Sequence, residues 1–448
     1  MELQGKRVMV LGLARTGCAA ARFLIEQGAE VLVTDRQSEI ELSSEMKALA
    51  GLPIRFLLGG EDPAWLEGVD LLIPSPGVPQ ENPLLQEAER RGAGILSEVE
   101  LACRFIRAPL IAITGTNGKS TTTALVGEML KAGGDLNIFV GGNIGAPLIG
   151  FAGGDWDWGV VEISSFQLEW VEKFRPRIAA LLNLTEDHLD RYPSFQAYCE
   201  AKERIFGAQT SDDIAILNRD DPLVWRMRKR VRARVVSFGW EAVDDGVYAK
   251  REEIVWRSAG QNGKDERFSL ARAKIQGVHN VENLMAAIAA AKAAGVSAAA
   301  IQKVIDGFAG LEHRLEFVRE KNGVRYFNDS KGTNVGAVVK SLAGFTSPVL
   351  LLAGGVDKGG DYGPLEKEIR RTVKKLILFG AAKDKIRAAL GHLTETVVVE
   401  DLAAAVRDAD KSSRSGDVVL LSPACSSFDM FRDYTERGKR FKALVQEL

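Results

Sequence analysis

The stretch "PLIAITGTNGKSTTTALVGEMLKAG", residues 109–133, constrains this chain more than any other. Its opening apolar run reads as a strand buried on both faces, the kind found in parallel sheets. The run passes straight into a glycine loop and then into a helical segment, the order that a phosphate-gripping loop requires. A helix start offers free backbone N–H groups and a positive dipole end, and so holds phosphate. Lys119 can reach the terminal phosphates, and the Ser120 hydroxyl can ligate Mg²⁺. The spacing is unusual. Gly-x-x-x-x-Gly-Lys-Ser/Thr needs a glycine at 113, where the sequence has Ile113, and the first glycine comes two residues late, at Gly115. The alternative is a tight turn with a chance lysine. The order of strand, loop and helix favours ATP chemistry.

A chain of 448 residues exceeds a single core, and three units is the expectation. Short β-type runs alternate with helical stretches throughout. "RVMVLGL", "EVLVTD", "VDLLIPS" and "GILS" form a doubly wound first unit, 1–96. The second, 97–310, holds the phosphate loop and continues through "DWGVVEIS", "RIAALLNLT" and "DIAILN". Its polar segment 240–265 reads as antiparallel strands and loops, and "NLMAAIAAAKAAGV" as a helix. The third, 311–448, alternates "VRYFND", "PVLLLAGG", "KLILFG", "TVVVED" and "DVVLLS" with helices. The expected architecture is α/β with three domains. A Rossmann-like N-terminal domain precedes a P-loop-type central ATPase domain with a mostly parallel sheet, and a Rossmann-like C-terminal domain follows.

A net charge of −2 argues against nucleic acid as a partner. The N-terminus lacks a signal-peptide pattern, and no 18-residue apolar run is present, so neither export nor membrane insertion is expected. Cys18, Cys103, Cys199 and Cys425 lie far apart without CxxC spacing, which reads as reduced thiols in a cytoplasmic protein.

Several polar residues fall at strand ends, where α/β proteins bind ligands. Glu162 ends "VVEIS" and can complete a Mg²⁺ shell begun by Ser120. "NLTEDHLDRY" brings Asp187, His188 and Asp190 to the same edge, and its acids point His188 toward a metal. Lys202, in "YCEAKERIF", reads by itself as a solvated helix-face charge. Asn280 and Asn283, in "HNVEN", read by themselves as a helix N-cap with one exposed amide.

Taken in order, "TGTNGKST", "SSFQLE", "NLTEDHLDRY", "AKERIF", "GVHNVEN", "EHRLE", "NDSKGTN" and "GGVDKGG" resemble the Mur ligases of peptidoglycan synthesis over essentially the whole chain. The displaced glycine is then a variant loop of that family. "LLSPACSSFDMF" and the start "VMVLGLARTG" are similar to the branch that adds D-glutamate, and "DNPR", the mark of the diaminopimelate- or lysine-adding branch, is missing. The resemblance implies an ATP-dependent ligase joining D-glutamate to UDP-N-acetylmuramoyl-L-alanine through an acyl phosphate and a tetrahedral intermediate. It implies a cytoplasmic monomer using two Mg²⁺ ions, with Mn²⁺ as a substitute.

The resemblance assigns ATP to Gly115, Thr116, Asn117, Gly118, Lys119, Ser120 and Thr121, with Asn280 and Asn283 on adenine and Arg314 and Asp329 reaching in from the third unit. It assigns catalysis to Lys119, Glu162, His188 and Lys202. One Mg²⁺ falls to Ser120 and Glu162, the other to His188 and a CO₂-derived carbamate on Lys202. The UDP substrate falls to Arg15, Thr16, Gly17, Asp35, Arg36, Ser75, Gly77 and Asn143. D-Glutamate falls to Thr333, Lys358, Ser427, the backbone around Phe428, and Tyr434. Two departures, Met430 for Gln and Glu312 for Pro, touch none of these.

Two rival readings remain. "VLGLARTG", residues 10–17, followed by Asp35 imitates the fingerprint of an NAD(P)-dependent oxidoreductase. It has G-x-x-x-x-G, without the middle glycine that lets backbone approach a pyrophosphate. A regulatory P-loop NTPase would need neither carbamate nor UDP site.

Overall fold

The computed structural model describes residues 1–258, 265–275 and 277–448. It contains three sheets, built in turn from residues 7–95, 110–269 and 316–421. The first has five parallel strands. Arg7–Leu11 sits in its middle, with Glu30–Asp35 on one side and Leu71–Pro74 on the other. Strand order reverses there, so the crevice beyond these strands is the ligand position of a doubly wound sheet.

The second sheet has nine strands. Leu110–Thr114, buried along its whole length, lies between Trp158–Glu162 and Ile178–Leu181. Its strands are parallel from Ile138–Gly142 as far as Gly246–Lys250, and then Glu253–Arg257 and Glu266–Ser269 pair antiparallel at one edge. The polar segment therefore does form antiparallel strands, although its residues 259–264 lie outside the described residues. The alanine-rich helix is Val278–Ala293. Its small side chains let it pack closely against Lys119–Gly133 on one face of the sheet.

The third sheet has six strands, parallel except for the edge strand Glu316–Lys321. That strand and Ile138–Gly142 are not evident in the sequence. "EFVREK" is only half buried and "IFVGG" is short and glycine-ended, so neither shows a clear period.

The three units are not joined alike. One continuous apolar core runs from Val8, Val10 and Leu24 of the first through Val99 and Leu101 to Val161, Leu168 and Phe174 of the second. The third has its own two apolar layers and meets the second through polar side chains.

Glu100 locks the first junction. It is fully buried on the helix Glu98–Cys103 and accepts the main-chain N–H groups of Glu172, Lys173 and Phe174, each at 2.9 Å. Arg104 pairs with it at 2.8 Å. Glu100→Ala strands three amides and a cation, and should cost about 3 kcal/mol of stability. Thermal unfolding of the variant reads this directly. An unchanged midpoint would show that the junction does not depend on that carboxylate.

Candidate active site

Parallel pairing puts the C-terminal ends of Leu110–Thr114, Trp158–Glu162 and Ile178–Leu181 on one edge. The phosphate loop, Glu162 and the segment leading to His188 therefore meet. Neighbouring backbone holds the loop in place. Thr116 N–H donates to the Asn183 carbonyl at 2.9 Å. Asn117 N–H donates to Asn183 Oδ1 at 2.8 Å, and Asn183 Nδ2 returns a bond to the Asn117 carbonyl at 3.0 Å. The Thr116 hydroxyl bridges the Thr185 carbonyl and the Tyr198 hydroxyl, at 3.1 and 3.0 Å.

This contact accounts for the late glycine. A Cβ at Gly115 would lie 3.0 Å from Leu182 Cβ and 3.3 Å from the Asn183 nitrogen, because the loop crosses the next strand there. Gly118 begins the helix at φ +87°, and a Cβ on it would lie 2.2 Å from Asn283 Oδ1.

Lys119 Nζ folds back onto the Gly115 and Thr116 carbonyls, at 2.7 and 2.8 Å. Burial lowers its pKa against the pull of Glu162 and Asp187. Ser120 Oγ accepts from Arg314 at 2.7 Å. Asn143, assigned to the UDP substrate, donates to Glu162 Oε1 at 2.6 Å. Burial pushes Glu162 up, but Lys119, Ser120 and Asn143 outweigh it and hold the carboxyl below its ordinary value. Its Oε2 is buried with no protein partner at hydrogen-bonding distance. A buried, ionised, half-satisfied carboxylate beside a phosphate loop suits a divalent cation. Among the described residues no three His, Cys, Asp or Glu side chains gather as a cage. Mg²⁺ does not need one, since it keeps several waters and takes one or two carboxylates plus phosphate oxygens.

His188 lies in the loop after Ile178–Leu181 at φ +56°. Burial, reinforced by Lys358, Lys119 and Lys202, holds its pKa below the usual value despite Asp187, which leaves the imidazole neutral and able to ligate. Lys202 corrects the reading made from its neighbours alone. It sits on Phe195–Glu203 but is only 2% exposed, with Nζ 4.8 Å from the Tyr198 ring centroid. Burial, then repulsion from Lys119, drives its pKa well down. The asparagine pair is corrected too: Gly277 caps the helix, while Asn280 and Asn283 lie inside it. Asn283 is buried, and its Nδ2 is 3.3 Å from Asn280 Oδ1.

The third sheet repeats the logic. Val324–Asn328, Val418–Leu421 and Val349–Gly354 are parallel neighbours, so the loops carrying Asp329 and Thr333, Ser427, and Lys358 share an edge. This edge faces the phosphate loop. Asn117, Gly118, Asn283, Arg314, Asp329 and Lys331 line one cavity. Burial pushes the Asp329 carboxyl up to about 6 against bonds from Ser422 and Ser341 at 2.7 and 2.8 Å. Lys358 Nζ is 3.2 Å from Asp187 Oδ1, and Asn334 Nδ2 is 3.0 Å from Asp187 Oδ2. Ser427 is buried, while Phe428 is 73% exposed. Three residues went unassigned in the sequence. They are Asn183, Asp187 as the partner of Lys358, and Lys331, whose Nζ lies 3.8 Å from the Tyr434 centroid. Lys331 stands inside "NDSKGTN", and burial followed by Arg314 lowers its pKa to about 7.

In the first unit, Gly12 and Gly17 follow the central strand. A Cβ on Gly17 would lie 2.0 Å from the Gly12 carbonyl oxygen, so the helix Arg15–Glu26 starts hard against the loop. Ser75 Oγ donates to that same oxygen at 2.8 Å. Arg15, Thr16, Gly17, Ser75 and Gly77 are thus gathered at the switch point. Asp35 is committed to the scaffold, accepting Leu13 N–H at 2.7 Å and Gln37 N–H at 2.9 Å. Arg36 pairs with Glu61 at 2.8 Å. Arg191 donates to the Gly77 and Val78 carbonyls, at 3.2 and 2.7 Å, and joins this crevice to the central edge.

Three family descriptions match this chain: Mur ligase MurD-like N-terminal domain over residues 6–97, Mur ligase middle domain over 113–291, and Mur ligase glutamate ligase domain over 313–425. The chain belongs to the Mur ligase family. Relatives narrow the likeness. It is 49% identical to UDP-N-acetylmuramoylalanine–D-glutamate ligase of Trichlorobacter lovleyi, over 100% of both chains. It is 51% identical to the protein of that name in Geobacter metallireducens, over 100% of this chain and 99% of that one. The same fold is seen in a pseudomurein peptide ligase type C from Methanothermus fervidus, at TM-score 0.61, 17% identity, and 99% and 100% coverage. It is seen in UDP-N-acetylmuramate-alanine ligase from Thermotoga maritima, at TM-score 0.58, 20% identity and 99% coverage of each chain.

Gly118→Ala tests the loop. The left-handed backbone costs a side chain about 1–2 kcal/mol, and the Asn283 contact adds to it. Calorimetric titration with a non-hydrolysable ATP analogue should show binding about tenfold weaker. Unchanged affinity would mean that the loop does not grip nucleotide in this conformation.

Proposed function

We propose that this chain uses ATP to join the amine of D-glutamate to the carboxylate of UDP-N-acetylmuramoyl-L-alanine in peptidoglycan precursor synthesis. The observation that carries this reading is full-length identity of 51% to a ligase of that name, on a chain whose phosphate loop and third-sheet edge face each other. We assign UDP-substrate binding to 1–96, ATP binding to 97–310 and D-glutamate binding to 311–448, in a monomer acting in the cytoplasm. The free cysteines accord with that compartment.

A carboxylate resists an amine because its charge suppresses attack at the carbonyl carbon. Transfer of the γ-phosphoryl group to it gives an acyl phosphate with a good leaving group. Lys119 would leave the Gly115 and Thr116 carbonyls and turn onto the phosphates, with Arg314 approaching from the third unit. Amine attack then forms a tetrahedral intermediate, which collapses to amide and phosphate. Glu162 and Ser120 would hold one Mg²⁺, which supplies charge neutralisation. His188 and Lys202 would hold the second, once Lys202 has taken up CO₂. Its free amine adds to CO₂ and loses a proton, becoming an anionic carbamate. Burial and a depressed pKa support that step, because only the neutral amine reacts. Lys358 would exchange Asp187 for a substrate carboxylate, with Thr333, Ser427 and Tyr434 beside it. Asn280 and Asn283 would meet adenine, and Thr121 the phosphates.

ADP release with UDP-N-acetylmuramoyl-L-alanine and a panel of amino acids tests the acceptor. D-Glutamate should support turnover, and L-glutamate and L-alanine should not. Equal rates with L-alanine would reassign the chain within its family.

Lys202→Ala tests the carbamate. Losing a metal-holding anion should lower turnover at least about a hundredfold. Acetate or propionate should partly restore it by filling the gap with a carboxylate, while Lys202→Arg stays inactive. Full activity of Lys202→Ala without added acid would remove the carbamate from the reading.

A further inference from the structure

Arg437 lies on the helix Tyr434–Glu447 and is fully buried, at 0% exposure. Among the described residues it forms no ion pair with a carboxylate. Its guanidinium spends its donors on two loops instead. Nε donates to Ser330 Oγ at 3.0 Å, and Nη2 to the Ser330 carbonyl at 2.8 Å. Nη1 and Nη2 reach the Cys425 carbonyl at 3.2 and 3.3 Å, and Nη1 also reaches the Ser426 carbonyl at 3.3 Å. Ser330 Oγ passes a bond on to the Tyr434 carbonyl at 2.8 Å.

One flat cation therefore bridges the loop that leads into Lys331 and Thr333 and the loop that leads into Ser427. A buried cation satisfied by neutral carbonyls is a poor source of stability, since apolar side chains of similar volume commonly do as well or better. Its distinctive property is geometric. A planar fork fixes the directions and separation of its acceptors, which the single ammonium of lysine cannot do. The loops so fixed carry Thr333 and Ser427, assigned to the acceptor amino acid, and Ser330 itself stands between Asp329 and Lys331, which line the cavity beside the phosphate loop. The phosphate loop and the first-unit crevice lie outside its reach.

We propose that Arg437 is a positioning residue for the acceptor amino acid, holding the Lys331–Thr333 loop at a set distance from Ser427. It rests on the D-glutamate reading above and adds to that reading the device that fixes the acceptor pocket's width.

The test is initial-rate kinetics on the full chain, with each of the three substrates varied in turn and thermal midpoints measured alongside, for wild type, Arg437→Lys and Ser330→Ala. Arg437→Lys keeps the charge and loses the fork. Its KM for D-glutamate should rise at least about tenfold, the scale of a lost hydrogen bond to a charged group, and by more than the KM for ATP, while kcat and the KM for the UDP substrate stay within about 1.5-fold. Ser330→Ala removes the Nε acceptor and the link to Tyr434, and should raise the same KM by about threefold. An unchanged KM for D-glutamate, or equal shifts in all three KM values that follow a lowered thermal midpoint, would overturn the proposal. If Arg437→Lys does not fold, Ser330→Ala decides by the same criterion. The wild-type arm separates the two levels. No stimulation by D-glutamate there would defeat the functional reading and this inference with it, whereas normal stimulation with an unmoved KM in the variants would defeat this inference alone.

Discussion

The site depends on one constraint, the parallel pairing of Leu110–Thr114 with Trp158–Glu162 and Ile178–Leu181. Parallel strands end on the same side, and a strand buried along its length cannot slip without exposing its apolar residues. The phosphate loop, Glu162 and Asn183 are therefore fixed to one another by main-chain hydrogen bonds before any of their side chains meet. The third sheet uses the same device with Val324–Asn328, Val418–Leu421 and Val349–Gly354. Between these two edges lies the space in which phosphoryl transfer and amide formation would take place.

That space is electrostatically crowded. Lys119, Lys202, Lys331, Lys358 and Arg314 converge on it, against Glu162, Asp187 and Asp329. The protein relieves the excess cation locally. Lys119 rests on two carbonyls, Lys358 on Asp187, and burial weakens proton binding at Lys202 and Lys331. Each of these arrangements is one that polyphosphate and carboxylate ligands can replace. One of these contacts, Lys358–Asp187, also joins the second and third units. A polar boundary of this kind opens and closes more easily than the apolar core shared by the first and second units.

Glycine and arginine serve this arrangement differently. Gly115 is required where the loop passes over the Leu182 and Asn183 backbone, and Gly118 where the helix starts in the left-handed region against the Asn283 side chain. Arg437 works at the opposite extreme, filling the volume between two loops with a rigid donor array.

Much of this was legible in the sequence. Strand–loop–helix order around "TGTNGKST" gave the phosphate grip, and apolar runs gave most strands, because burial on both faces leaves a clear mark on composition. The order of short motifs gave the family. Lys202 shows the limit. Its neighbours describe a helix surface, and only the packing of that helix against the phosphate loop, where the Tyr198 hydroxyl meets Thr116, reveals that the amine is buried. The same holds for Asn283, Lys331 and Arg437, and for Asp35, whose carboxylate is spent on the Leu13 and Gln37 main-chain N–H groups. The sequence by itself determined which segments become strands, helices and phosphate loop, since these follow from local periodicity and turn chemistry. Which polar side chains face one another, and which lose their solvent, was decided only by the tertiary structure. Burial and charge proximity arise between residues distant in the chain, and no local pattern encodes them.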